Sequence, residues 1–338
     1  MSSGTTTAAR ATTARGALPL MLGAGAIALA VALTILTGGA FSARTGYDQA
    51  VRDVVLDDWW TLWAIPPVEV ALTGLLVAWL LITGRREGRA YALAAGAVLL
   101  LAICSPVAGL AQSGLLSAHM GQHVLIGAVA PLLALMALPQ AVPGETRRRW
   151  WTPLLSPPMA FGLWVLSTVT WLVPAIHHHV LISQPLWIVQ QVAFFTFGAI
   201  FWAPVTERLA AAPRWYTTGV KCGVMIGLWF VGLTIANVFW FAGHAFYASH
   251  AAAAQALGMS PLEDQGIAGT VMMVTHCFIA FGAVAVLFFR AARERTVQQR
   301  LVEAGIDAER ARWAVRYGGA EELAQEAGIP IKVRAGID

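Results

Sequence analysis

Residues 118–140 read AHMGQHVLIGAVAPLLALMALPQ. The stretch contains no Asp, Glu, Lys or Arg. As a helix rising roughly 1.5 Å per residue it is long enough to cross a hydrocarbon core of about 30 Å. Similar apolar runs recur near 17–40, 62–83, 90–110, 158–180, 185–205, 218–245 and 267–290, separated by short polar stretches. Eight such runs predict an all-α fold, a polytopic transmembrane helical bundle. Composition agrees: 58% of the residues are hydrophobic and 12% are charged. Soluble domains carry about 25% charged residues, so an ordinary soluble enzyme, a disordered chain and a secreted disulfide scaffold are all poor fits. Cys104, Cys222 and Cys277 lie inside apolar runs, and an odd count buried in spans makes no disulfide framework.

The loops predict orientation. Arg10 and Arg15 precede the first run; Arg85, Arg86 and Arg89 follow the second; Arg147, Arg148 and Arg149 follow the fourth. Arg208, Arg214 and Lys221 follow the sixth, and Arg290, Arg293 and Arg295 follow the eighth. The alternate loops are poor in cations; residues 42–60 set Asp48, Asp53, Asp57 and Asp58 against two arginines. Basic loops stay on the cytoplasmic side, so both termini are expected there. The expected layout is a cytoplasmic segment 1–16, a bundle 17–290 and a charged cytoplasmic tail 291–338. The first run also resembles a signal peptide, but its apolar core is long for one, and a retained helix is expected. The tail pattern predicts two or three short helices punctuated by Gly305, Gly318-Gly319 and Gly328. The net charge of +4 resides in short loops and the tail, so it is no nucleic-acid footprint; the expected surroundings are a lipid bilayer. The bias to Arg over Lys, with abundant Ala and Gly, fits a bacterium, hence a multi-pass protein of the bacterial plasma membrane. Gly223-x-x-x-Gly227 permits close helix packing.

That orientation gathers the histidines towards the outer leaflet. His119 and His123 stand at i, i+4 on one helix face, where two imidazoles can share a metal. Met272 and His276 repeat the spacing in the last run. Imidazole suits copper, zinc and iron, and thioether or thiolate favours Cu(I). The predicted metal ligands are therefore His119, His123, Met272 and His276, with Met120, Cys104, Glu69, Asp264 and His244 as possible additions, and copper as the expected metal. Each has a plainer reading: an interhelical hydrogen bond for the histidines, packing for the sulfur residues, and helix capping for Asp264. Glu69 inside a run is expensive in lipid unless it is used or reaches the interface. The His177–His179 run and His250 are read as interfacial. The inner half has no His, which leaves room for at most one outer haem and argues against a permease. No nucleophile–base pair is evident, so no catalytic residue is expected.

Ser117-Ala-His119-Met-Gly-Gln-His123-Val-Leu-Ile, followed by Ala130-Pro131-Leu-Leu, resembles the signature of the bacterial CtaG family, integral-membrane assembly factors of caa3-type cytochrome c oxidase. Ser105-Pro106 is similar to that family's Ser-Pro at the end of the preceding helix. Pro261-Leu-Glu-Asp264-Gln265-Gly-Ile-Ala-Gly269-Thr-Val-Met272 and Phe201-Trp202-Ala-Pro204 resemble two further elements. The resemblance covers about residues 60–290. Leu172 stands where the family pattern has His, Gln190-Gln191 lies where another often occurs, and Met273 replaces Trp. The resemblance implies assembly of a haem–copper oxidase, with oxidase subunits as partners and copper handling as the plausible task. A membrane redox subunit with one outer haem or a quinone site, and a structural subunit of a respiratory complex, are the alternatives.

Overall fold

A computed structural model of the chain describes residues 62–63, 65–142 and 152–329. The apolar run at 17–40, its flanking segments 1–16 and 42–60, and Arg147, Arg148 and Arg149 lie outside the described residues. Every regular element among the described residues is helical. The helices are α1 (Pro67–Thr83), α2 (Arg89–Cys104), α3 (Pro106–Gln112), α4 (Leu116–Met136), α5 (Pro157–Leu172), α6 (Pro174–Ile182), α7 (Gln184–Thr206), α8 (Thr218–Trp240), α9 (Ala251–Ala256), α10 (Pro261–Glu303), α11 (Ala308–Tyr317) and α12 (Ala320–Glu326).

Seven of the eight predicted runs fall on described residues, and all seven are helical. They do not make seven uninterrupted spans. Four helices, α4, α7, α8 and α10, are long and apolar enough to cross a membrane, and counting each bent pair as one span raises the number to six. The difference lies with proline. Pro67 delays α1, leaving 17 residues rather than a run from residue 62. Pro106 bends α2 against α3 by 43°, and Pro174 bends α5 against α6 by 72°. Proline fits the first turn of a helix but cannot donate to the carbonyl four residues back.

The orphaned carbonyls are answered from elsewhere in the fold. Pro106 cannot serve the carbonyl of Ala102, and the buried Gln122 side chain donates to that oxygen at 2.8 Å. Gln122 lies between the two histidines of α4, so the Ser-Pro and His-x-x-x-His elements are parts of one joint. In α4 the stretch Leu125–Val129 forms a π-turn immediately before Pro131. Such a turn accommodates a residue that cannot complete the ordinary ladder. Trp202 Nε1 of α7 donates to the Ala128 carbonyl within it at 2.9 Å. Close approach makes that bond possible: a Cβ on Gly198 would stand 2.0 Å from the Gly127 oxygen. Replacing Gln122 by Leu leaves the buried Ala102 oxygen without its donor. The expected loss is about 1–3 kcal/mol of stability, read as a lower melting temperature of the detergent-solubilised protein; an unchanged melting temperature refutes the joint.

The described residues divide into two compact units. The larger takes those up to Ala212 together with Trp229–Cys277. Within it α8 and α10 meet at glycines other than the one the sequence suggested. A Cβ on Gly232 would lie 2.8 Å from the His276 Cβ, and one on Gly269 would lie 3.1 Å from the Phe239 Cβ. Gly223 has no described atom within 4 Å of such a position. The second unit comprises Pro213–Leu228 and the residues from Phe278 onward. There Leu301, Ala311, Ala314, Ala320, Leu323 and Ala324 form a small core. Asp307 caps α11 by accepting from the N–H groups of Glu309 and Arg310, both at 3.0 Å. Gly305, Gly318, Gly319 and Gly328 all adopt positive φ, as the punctuation of the tail predicts. The first tail helix is no separate element, because α10 continues to Glu303.

Candidate functional site

The first turns of α4 carry His119, Met120 and His123, all buried. Two acceptors fix this segment. Asp264, at the start of α10, accepts from the N–H of Leu116 at 2.8 Å and of Ser117 at 3.1 Å. A helix N-terminus leaves its first N–H groups unsatisfied and favours negative charge. Asp264 does cap a helix, but the helix is α4 rather than its own. Gln265 extends the clasp: its side-chain oxygen accepts from the Phe246 N–H at 2.7 Å, and its amide donates to the Phe239 carbonyl at 3.3 Å. The Asp-Gln pair thereby ties together the start of α4, the end of α8 and the loop that follows α8.

That loop carries His250, only 2% exposed. Its Nδ1 bonds to the carbonyl of Gly114, whose positive φ turns the chain from α3 into α4. Burial pushes the imidazole down to about 4, against the opposing pull of the Gly114 carbonyl and the Asp264 charge. His250 is therefore neutral near pH 7, the form in which imidazole serves as a ligand. From α6, His177 reaches the same place, fully buried. Its Nδ1 lies 3.3 Å from the Trp171 carbonyl and its Nε2 lies 2.8 Å from Nε2 of His250. Tyr247 packs on His177 and donates its hydroxyl to the Leu172 carbonyl at 2.7 Å.

Four imidazoles thus adjoin. The ring of His119 stands 4.2 Å from that of His123, 4.9 Å from that of His177 and 6.0 Å from that of His250. Trp187 of α7 covers His119, and Phe194 of α7 stacks on His123 at 4.2 Å. Between those two aromatic residues, on the same face of α7, come Gln190 and Gln191, both buried. Neither ring nitrogen of His123 and neither side-chain amide atom of Gln190 has a hydrogen-bond partner among the described residues. Buried polar atoms left in that condition are uncommon and point to a missing partner. As the side chains stand, no three His, Cys, Asp or Glu among the described residues form a set that could hold a metal ion.

The other predicted residues are placed differently. Met272 is buried in an apolar cluster with Leu116, Met120, Phe239 and Tyr247. Its i, i+4 partner His276 turns Nδ1 to the Met272 carbonyl at 2.6 Å and packs near Trp164 and Gly232. Glu69 is in the first turn of α1 rather than deep in a run, and accepts from Gln184 at 3.2 Å. Cys104 is half-buried beside the Leu99 and Phe194 cluster. His244 is exposed, with its ring edge against Phe246. His178 and His179 are exposed, whereas His177 and His250, read with them as interfacial, are buried. A signal for His177 was present, because His177, Val180 and Leu181 repeat the i, i+3, i+4 spacing of a buried face.

Helices long and apolar enough to cross a membrane define a helical membrane protein. The family model described as cytochrome c oxidase caa3 assembly factor (Caa3_CtaG) matches residues 84–294. The chain belongs to this family of non-catalytic assembly factors for cytochrome c oxidase. The match takes in α2 to α9 and most of α10, and therefore every histidine of the cluster. No curated protein and no solved structure matches the chain.

Proposed function

We propose that the chain is a multi-pass protein of the bacterial plasma membrane that assists assembly of a haem–copper oxidase by holding copper for the oxidase at the outer ends of its helices. Copper here is cargo. The observation that carries the reading is His123. It is buried beside His119 on one face of α4, and neither of its ring nitrogens has a hydrogen-bond partner among the described residues. An imidazole in apolar surroundings with no protein partner is suited to a ligand that arrives and leaves. Met120 and Met272 share the adjoining apolar cluster and offer thioethers to Cu(I); His276, four residues beyond Met272, is a further contact for the same cargo. The arginine-rich loops support the outward orientation of this end. A carrier at that depth hands its metal to a membrane-embedded acceptor without releasing it into water.

The test is a deletion strain grown with low and with added copper. Oxidase activity and the a-type haem signal in reduced-minus-oxidised spectra of its membranes are expected to fall, and added copper to restore both in part. Normal activity and a normal spectrum at low copper would overturn the proposal.

A further inference from the structure

We propose that His119, His177 and His250 form a three-imidazole site for a divalent transition-metal ion, with Cu(II) as the preferred occupant. The inference deepens the copper reading of His119 and rests on it. It moves the ligand partners from Met272 and His276 to two histidines that the sequence placed at the interface.

The first argument is proton bookkeeping at the His177–His250 contact. A neutral imidazole carries one N–H. The Nδ1 atoms of both rings face backbone carbonyls, Trp171 for His177 and Gly114 for His250. A carbonyl oxygen only accepts, so the tautomers in which both Nδ1 atoms donate satisfy both contacts, whereas an Nε2–H bond from His177 to His250 would set the bare Nδ1 of His177 against the Trp171 oxygen at 3.3 Å. Both Nε2 atoms then present lone pairs, and they lie 2.8 Å apart. Two lone pairs at that separation repel unless a cation stands between or beside them. The carbonyl contacts also match the usual outer shell of a metal-bound histidine, in which the second ring nitrogen donates to a backbone carbonyl or carboxylate and sets the tautomer.

The second argument is spacing. A metal–nitrogen distance of about 2.0–2.1 Å in the tetragonal geometry of Cu(II) places neighbouring imidazole centroids roughly 4.5 Å apart and opposite ones roughly 6.4 Å apart. The three centroid separations are 4.9 Å for His119–His177, 5.0 Å for His177–His250 and 6.0 Å for His119–His250. His119 needs a side-chain rotation to bring a nitrogen onto the common point, a change between ordinary rotamers. The outward neighbours of the triad are Trp187 and Tyr247, so the site is dry. Its fourth side adjoins His123, which can serve as the entry or exit ligand. An all-nitrogen set selects borderline divalent ions, and among these Cu(II) binds most tightly.

The experiment uses the full chain, purified in detergent, stripped with chelator and titrated with Cu(II) sulfate. The wild-type protein is expected to retain an equimolar amount of copper, with pulsed electron paramagnetic resonance counting three imidazoles on it. His177→Gln and His250→Gln, which keep a side-chain donor for the carbonyls, are expected to weaken binding at least about tenfold, a loss that outer-shell changes alone already produce. His178→Gln and His179→Gln, at exposed positions outside the cluster, are expected to bind as wild type does. A wild-type protein that retains no copper, fewer imidazoles on the bound ion, or loss in His276→Gln but not in His250→Gln would overturn the site. The imidazole count comes from the wild-type chain, so it stands even where a variant fails to fold. If the triad binds copper but the deletion strain keeps its oxidase, the site holds and copper delivery falls. If the deletion strain loses its oxidase while the chain retains no copper, the triad falls and the assembly role holds.

Discussion

A strain whose only copy carries His119→Ala and His123→Ala is expected to show the oxidase activity of a deletion strain, while the protein accumulates in the membrane at near wild-type level. Both halves of the result matter. His123 makes no hydrogen bond to the described residues, so its removal deletes no bond that holds the fold. Truncating a buried aromatic ring leaves a cavity that costs about 3–5 kcal/mol in a core that cannot collapse; an imidazole is smaller, and its polar nitrogens gain nothing from the apolar surroundings, so the stability loss is smaller too. The loss of function is expected to be large because both rings are proposed contacts for the same cargo. Membranes of the variant strain, assayed for oxidase turnover and immunoblotted for the protein, decide the matter. Full activity at normal abundance would remove these two residues from the function.

What the sequence made legible here was mostly periodicity. The His119–His123 pair was found because i, i+4 spacing is a property of one helix, and the apolar runs were found because lipid demands length. The site's other half was hidden because it depends on joints. His177 lies beyond the 72° bend at Pro174; its spacing with Val180 and Leu181 marks a buried face, but not what that face meets. His250 is buried because Gly114 and Gln265 hold its loop, contacts that span more than a hundred residues in the first case. Conversely, the Met272–His276 spacing was real but its context was not visible: Gly232 of α8 comes so close to His276 that this ring lies in a helix crossing. The same limit applies to the span count. Hydropathy averages over a window and does not register a proline bend, so 90–110 and 158–180 read as continuous.

Asp264→Ala is expected to be the most damaging single change outside the histidines. Asp264 is 1% exposed, and its two oxygens each accept one backbone N–H from the start of α4. Leaving a buried N–H unsatisfied costs about 1–3 kcal/mol, and more where the lost acceptor was charged. Two such groups are orphaned at once, and the favourable charge at the N-terminus of α4 goes with them, a further contribution of roughly 0.3–1 kcal/mol. The adjacent Gln265 oxygen is already engaged by Phe246. The first turn of α4 is then free to fray, and His119 begins three residues after Leu116. The expected readout is therefore double. The melting temperature of the purified protein falls, and the membranes lose oxidase activity even where some protein survives. Asp264→Asn separates the two contributions. It keeps one carbonyl oxygen for one N–H but turns an amide donor towards the other, so its melting temperature is expected to lie between those of wild type and Asp264→Ala. A wild-type melting temperature for Asp264→Ala would show that the start of α4 is held by something other than this clasp, and the positioning of His119 would need another cause.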